Sequence, residues 1–425
     1  LIGSFSVEPI SVAHSIIDAY ALAIRTVAGT LVHTADFDLD EEQPAGHLTD
    51  SFRFEELGKE GVRLLLSDST NIDRLSREGN EGTVGRALRA VIEGQRARVV
   101  LAMFSSNIHR LKSLSETAQA TGRKLCLLGR SLRRQYEIAT ELGALRFPSS
   151  LLIAPEQLAS FPREQVLILA GGSQGEGASA LRRLSQGKHP ALTLEPDDSV
   201  ILSSRVIPGN ERSVFAMRND FLRSGIEVLD DRSVPGIHVS GHACRSELGQ
   251  MMEWTCPEAF VPVHGTLHHL LRHQSLAREY LVQDSAVVED GAVVEIPRNG
   301  KLRVVSNESL SPVRVAMGGA VLEPKERRER SDLARTGCIS VSVAIDSKEE
   351  LLGGVAVCLQ GIPGSGEDEA LVERLRHVAC VAVRNHRGER MLPLETVVKR
   401  AVRSAAFEFN GVRSVVLVQI HRLSS

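Results

Sequence analysis

Paired cysteines, aromatic residues, long apolar runs and an excess of either charge are all scarce in this sequence, and each scarcity excludes something. The six cysteines, Cys126, Cys244, Cys256, Cys338, Cys358 and Cys380, are scattered, and no two form a CxxC pair. Neither a disulfide framework nor a thiolate zinc site is therefore expected, and a reducing cytoplasm fits. No apolar run approaches the roughly 18 residues that span a bilayer, so no membrane partner is expected. A formal net charge of -3 announces no polyanion partner, which means that any phosphate-recognising surface must be local. With aromatic residues at 4%, stacking on bases can contribute little, and backbone contacts sensitive to salt would have to dominate any nucleic-acid binding. The opening at Leu1 has no start methionine, basic n-region or signal-like apolar core, so an interior start within a longer protein is expected.

What is present is a long α/β pattern. At 425 residues the chain exceeds one ordinary core, and two or three domains are expected. Short β-rich runs at 21–27, 30–34 and 62–67 read as strands of a layered α/β core. A second series at 98–104, 124–129, 165–170 and 199–204 is nearly continuously apolar with helical patterns between, the mark of a parallel sheet covered on both faces. Runs at 236–240, 259–264 and 286–290 read as a return to the first core. Residues 306–330, with two prolines and the charge run 325–330, read as a linker. A small domain over 331–425 follows, with strands at 338–345 and 353–359. Two helices come next, with Leu371, Leu375 and Ala379 on one stripe and Leu394, Val398 and Val402 on the other, and a last strand spans 415–420. The expected boundaries are 1–81 and 236–305 for the first core, with 82–235 inserted between them.

Four segments place an acid or imidazole at or just past a strand end: His14, Asp36, Asp68 and His264. In layered α/β proteins, ligand groups gather there, because the sheet fixes their bases and the loops leave their tips open. Imidazole and carboxylate suit borderline metals, and one aspartate can bridge two ions. Taken singly, each residue could equally be a satisfied histidine or a turn cap; only the ordered combination is informative. Three loops look suited to phosphate. Ser173, Gln174, Gly175 and Glu176 lie in a glycine-rich turn expected to open a helix near Ala178. Ser240, Gly241, His242 and Ala243 combine hydroxyl, backbone and imidazole, and Asn107, His109 and Arg110 follow another strand, with Arg110 able to pair with a phosphate oxygen. An ordinary turn or helix cap would look the same.

Eight matches in order, around His14, Asp36, Asp68, His109-Arg110, Ser173-Gln174, Pro208-Gly209-Asn210, Ser240-Gly241-His242 and His264, resemble the ribonuclease J family of metallo-β-lactamase/β-CASP ribonucleases over nearly the entire chain. The resemblance implies an α/β fold: a truncated metallo-β-lactamase αββα core, an inserted β-CASP parallel-sheet domain and a small C-terminal α+β domain. It also implies that His14, Asp36 and His264 are zinc ligands, two ions per intact site, with Asp36 bridging. Asp68 and His242 are the catalytic pair it implies, Asp68 supporting the site. His242, Ser240 and the Ser173 loop would hold nucleotide phosphates. The implied substrate is single-stranded RNA with a 5′-monophosphate, trimmed 5′ to 3′ and also cut internally, in RNA maturation and mRNA decay. The implied partners are further copies, as a homodimer or homotetramer, and an RNA-degradation complex.

The chain departs from the family at several points. The family's central metal motif, two histidines one residue apart followed by an Asp-His pair, does not occur before His14, so the fragment by itself is expected to be inactive. Ala35 stands where a glycine is usual, Ile17 and Gly177 where prolines are, and Thr266 where a glutamate follows the His-Gly pair. The rival expectation is a non-catalytic β-CASP scaffold that binds RNA without metal.

Overall fold

Strand direction decides where this chain can place chemistry. The computed structural model describes residues 2–316, 318–362, 369–386 and 392–423, which divide into two compact units after Ser309. The first unit begins with β1 (Ser6–Val12), β2 (Ala19–Thr26), β3 (Gly29–His33), α1 (Ser51–Glu60) and β4 (Val62–Asp68). It continues through α2 (Glu81–Gly94), β5 (Val99–Ala102), α3 (Ile108–Ala120), β6 (Lys124–Leu128), α4 (Arg130–Glu141), β7 (Val166–Ala170) and α5 (Ala180–Ser185). After β8 (Ser199–Leu202), α6 (Glu211–Arg223) and β9 (Glu227–Asp230), it closes with α7 (Arg245–Thr255), β10 (Ala259–Val263), α8 (Leu267–Glu279) and β11 (Asp284–Ser285).

Two sheets organise this unit. The first has the order β1-β2-β3-β4-β10-β11. β1, β2 and β3 form an antiparallel meander, and β3, β4 and β10 run parallel. The C-terminal ends of β1, β3, β4 and β10 therefore share one edge. β1 itself was not legible as a strand, since exposed Pro9 interrupts its pattern; a sheet edge tolerates that missing donor. The second sheet, β6-β7-β5-β8-β9, is wholly parallel. Four of its strands, β5, β6, β7 and β8, are buried almost throughout because helices cover both faces.

Two expected strands are absent. Residues 236–240 form no strand because side chains take the place of ladder partners, Ser203 Oγ donating to the Ile237 carbonyl and His14 Nδ1 lying 2.6 Å from the Gly241 carbonyl. Residues 286–290 lie between β11 and β12 (Ala292–Glu295), which pairs with β13 (Arg303–Asn307).

In the second unit, β14 (Arg314–Val315) and β15 (Val321–Leu322) form a hairpin, and α9 (Pro324–Thr336) contains the charge run expected in a linker. Glu326 caps α9 by accepting from the Glu323 N–H, so the charges form a solvated helix instead of a loose tether. β16 (Cys338–Ile345) and β17 (Ala356–Gln360) pair antiparallel; α10 (Glu369–Asn385) and α11 (Leu394–Asn410) follow, and β18 (Val415–Arg422) pairs parallel with β16. Ile339, Val341, Val343 and Ile345 alternate into a core with Leu375, Ala379, Val398 and Val402 of the two helices. Among the described residues, no helix is long and apolar enough to cross a membrane.

Candidate metal centre and nucleotide pocket

The shared edge of the first sheet gathers side chains from distant parts of the chain. His14 lies in the turn after β1, Asp36 just beyond β3, Asp68 at the end of β4 and His264 immediately after β10. Asp36 uses both oxygens: Oδ1 is 3.1 Å from His264 Nδ1 and Oδ2 is 3.9 Å from His14 Nε2. Donor atoms of His14, Asp36 and His242 converge in one group and those of Asp36, Asp68 and His264 in another, so Asp36 belongs to both. Ligands around a tetrahedral zinc ion stand about 3.3–3.6 Å apart, given zinc–ligand distances of about 2.0–2.2 Å; the 3.1 Å His264–Asp36 separation lies close to that spacing and the 3.9 Å His14–Asp36 separation is wider.

The histidines are also set for coordination. His14 Nδ1–H donates to the Gly241 carbonyl, which fixes the tautomer and leaves the Nε2 lone pair for a cation. Burial lowers the His14 pKa and keeps the ring neutral, although the Gly241 bond opposes this. His264 has a left-handed φ of 58°, local strain of the kind stored at functional sites. Ala35, where the family usually has glycine, also sits at positive φ, 53°, a conformation that is unfavourable by roughly 1 kcal/mol for a residue with a Cβ.

Behind these groups, Asp68 is tightly clamped. Its N–H donates to Thr34 Oγ1 at 3.2 Å, and its Oδ1 accepts from the Thr70 N–H and hydroxyl at 2.9 and 2.6 Å. Oδ2 is left to accept from His242 Nδ1–H at 2.8 Å. Burial would raise the Asp68 carboxyl, but the His242 and Thr70 bonds outweigh it and hold it below the usual range. For His242 burial acts downward, while the Asp68 bond and charge bring the ring above its ordinary value.

Sequence reasoning named only His242 and Ser240 of the pocket around them and missed its other lining residues, among them Asn71, Arg74, Arg205 and His238, together with the carboxylates of Glu78, Asp231 and Glu247. Arg205 donates to Asn71 Oδ1 at 3.0 Å, and Asn71 donates to the His242 carbonyl. No carboxylate among the described residues pairs with Arg205, whose pKa is lowered by burial and by the charge of Arg74. His238 Nδ1 accepts from Arg110, and since a guanidinium can only donate, the ring proton must sit on Nε2. Burial and three arginine charges hold His238 well below its ordinary pKa, so it offers a neutral N–H donor. Isolated polar residues far apart in the chain carry no periodic signal, which is why these residues were not legible.

The expected phosphate contacts of Asn107, His109 and Arg110 are corrected by the structure. All three are buried, and their polar atoms are engaged internally. Asn107 caps α3 and donates to Glu81, His109 Nε2–H donates to the His14 carbonyl at 3.0 Å, and Arg110 grips Glu81 at 2.6 Å. His109 thus supports the backbone of His14 from the inserted domain. In the glycine-rich loop, Ser173 and Gln174 are buried, and the Gln174 amide bonds the backbone of Arg205 and Ile207. Gly175 has a φ of 74°, and a Cβ there would meet the Ser213 backbone at 2.7 Å. The loop shapes the segment that carries Arg205, Glu176 remains exposed, and the helix that follows starts only at Ala180.

A second buried histidine lies beneath Asp68. His273 of α8 is within 3.0 Å of Ser69 Oγ, and burial pushes its pKa down to about 3. Its folded-state value is depressed, so its contribution to stability is present above the unfolded value near 6.5 and is lost as pH falls toward 3, by about 1.4 kcal/mol per pH unit. Urea unfolding between pH 7.5 and 5 should show this acid weakening. His273→Phe should flatten the slope by about one proton; an unchanged slope would mean that the imidazole titrates normally.

Three family descriptions match parts of this chain. The family description "Ribonuclease J, beta-CASP domain" matches residues 96–221, "Zn-dependent metallo-hydrolase RNA specificity domain" matches 234–287, and "Ribonuclease J C-terminal domain" matches 327–423. The chain is 35% identical to ribonuclease J of Sinorhizobium meliloti, covering 99% of this chain and 75% of that protein. It is 32% identical to ribonuclease J of Helicobacter pylori strain J99, covering 96% and 60%. With ribonuclease J of Mycobacterium tuberculosis it shares 38% identity, covering 69% and 53%.

Proposed function

Because the chain belongs to the ribonuclease J family of metal-dependent ribonucleases, we propose that the intact protein hydrolyses single-stranded RNA from a 5′-monophosphorylated end and also cuts internally, using two zinc ions held partly by His14, Asp36 and His264. The observation that carries this reading is Asp36, whose two oxygens face the imidazoles of His264 and His14 at the edge where four strands end. Zinc bound there would supply an acidified water and neutralise phosphate charge.

The chain's own residues do the remaining work. His14 and His264 hold their imidazoles against Asp36, and Asp68 accepts from His242 Nδ1–H, which leaves Nε2 on the opposite side of the ring for a phosphate oxygen. Arg205, Arg74, the His238 Nε2–H and the Ser240 hydroxyl supply donors for the terminal phosphate. RNA maturation and mRNA decay in the cytoplasm, as a homodimer or homotetramer joined through the C-terminal domain and within a degradation complex, complete the proposal.

Cleavage of 5′-monophosphorylated RNA that is abolished by a chelator and restored by zinc is the expected result, with DNA of the same sequence left intact. RNA binding without chelator-sensitive cleavage would instead support the scaffold reading. Arg205→Ala should weaken RNA binding and lower the slope of log affinity against log salt by about one. An unchanged slope would remove Arg205 from the phosphate site.

A further inference from the structure

The turn carrying Asp68 is held from two sides. Thr34 and Thr70 secure Asp68 itself, whereas the next residue, Ser69, reaches across to α8, the helix that begins three residues after His264. Ser69 and His273 are both fully buried, and the His273 ring lies edge-on to Phe260 with centroids 4.7 Å apart. His273 Nε2 has no hydrogen-bond partner among the described residues. If Ser69 donated to His273 Nδ1, the ring proton would be stranded on that partnerless Nε2. The less costly arrangement has His273 Nδ1–H donating to Ser69 Oγ, which in turn donates to the Ser67 carbonyl at 3.4 Å, leaving only a bare lone pair unsatisfied. An imidazole is an expensive way to fill a fully buried place beside Phe260, and its single engaged atom is the one that holds Ser69.

We propose that His273 is a positioning residue: by fixing the Ser69 hydroxyl from α8, it sets the turn that aims Asp68 Oδ2 at His242 Nδ1 and ties that aim to the His264 turn at the head of the same helix. This rests on the reading of Asp68 and His242 as working members of the site. Asp68 has one oxygen committed to Thr70, so a small rotation of the turn moves Oδ2 away from His242 without unfolding either strand.

The test compares His273→Phe, which keeps a ring against Phe260 but removes the donor, with His273→Asn, which keeps an N–H donor on a shorter arm, and with Ser69→Ala, all in the intact protein. The His242 Nδ1 proton is followed by NMR, zinc-free and zinc-loaded, together with kcat and KM on 5′-monophosphorylated RNA and the melting temperature. In His273→Phe this proton should be lost to exchange with water, and kcat should fall about tenfold while KM stays within about twofold. Asn should restore most of both, and combining His273→Phe with Ser69→Ala should add no further loss. An unchanged His242 proton, losses that follow melting temperature alike in Phe and Asn, or additive effects in the double variant would each overturn the proposal. Should His273→Phe fail to fold, Ser69→Ala is read in the same way: loss of the His242 proton and of kcat supports the proposal, and their retention overturns it. If the intact protein cleaves no RNA, the ribonuclease reading falls, while the proton signal still decides the role of His273.

Discussion

Replacing Asp36 by alanine in the intact protein is expected to lower metal-dependent RNA cleavage at least about a hundredfold, more than the loss of any other single residue described above. Its two oxygens face different imidazoles, 3.1 Å and 3.9 Å away, so one truncation removes the carboxylate common to both donor groups. His14 remains oriented by Gly241 and supported by His109, so the fold should survive and the loss should appear as metal affinity and turnover. Competition with a chromophoric chelator measures the first, and single-turnover cleavage the second. Zinc retained at wild-type affinity by Asp36→Ala would remove this carboxylate from the centre.

The second large effect falls on stability. Arg110 and Glu81 are almost completely buried and joined at 2.6 Å, with Arg110 also donating to the Ser203 carbonyl and to His238. Arg110→Ala leaves the Glu81 carboxylate buried without its cation, and breaking such a pair is typically destabilising by about 3–5 kcal/mol. Urea unfolding should show that loss with little change in slope. A variant of wild-type stability with weakened RNA binding would return Arg110 to the substrate-contacting role that its place in the sequence suggests.

That contrast shows where sequence reasoning reached its limit. Arginine after a strand and a serine-asparagine turn has the same appearance whether it meets a phosphate or a carboxylate. What decides is Glu81, 29 positions earlier and on another helix, and no local pattern brings the two together. The charge run at 325–330 misled for a related reason, since polarity alone does not separate a tether from a solvated helix, and the cap made by Glu326 is a matter of geometry.

Much else was legible. Continuous apolar runs identify strands 99–102, 124–128, 166–170 and 199–202, because a parallel strand buried on both faces has no polar face to show. The alternation and stripes of the C-terminal unit likewise identify its sheet and two helices, because side-chain periodicity is a local property. The residue types at 14, 36, 68 and 264, and their order, were sufficient to suggest a metal centre.

The sequence alone determined the local structure and the chemical vocabulary: which segments form strands and helices, and which side chains can bind a cation or an anion. Only tertiary structure decided which of those side chains meet. The C-terminal ends of β1, β3, β4 and β10 share an edge because of strand order and direction, and Arg205, His238 and His273 acquire their settings from partners far away in the chain. Pairing and burial are relations between distant residues, and the energy of a buried charge or donor depends on those relations, not on the residue that carries it.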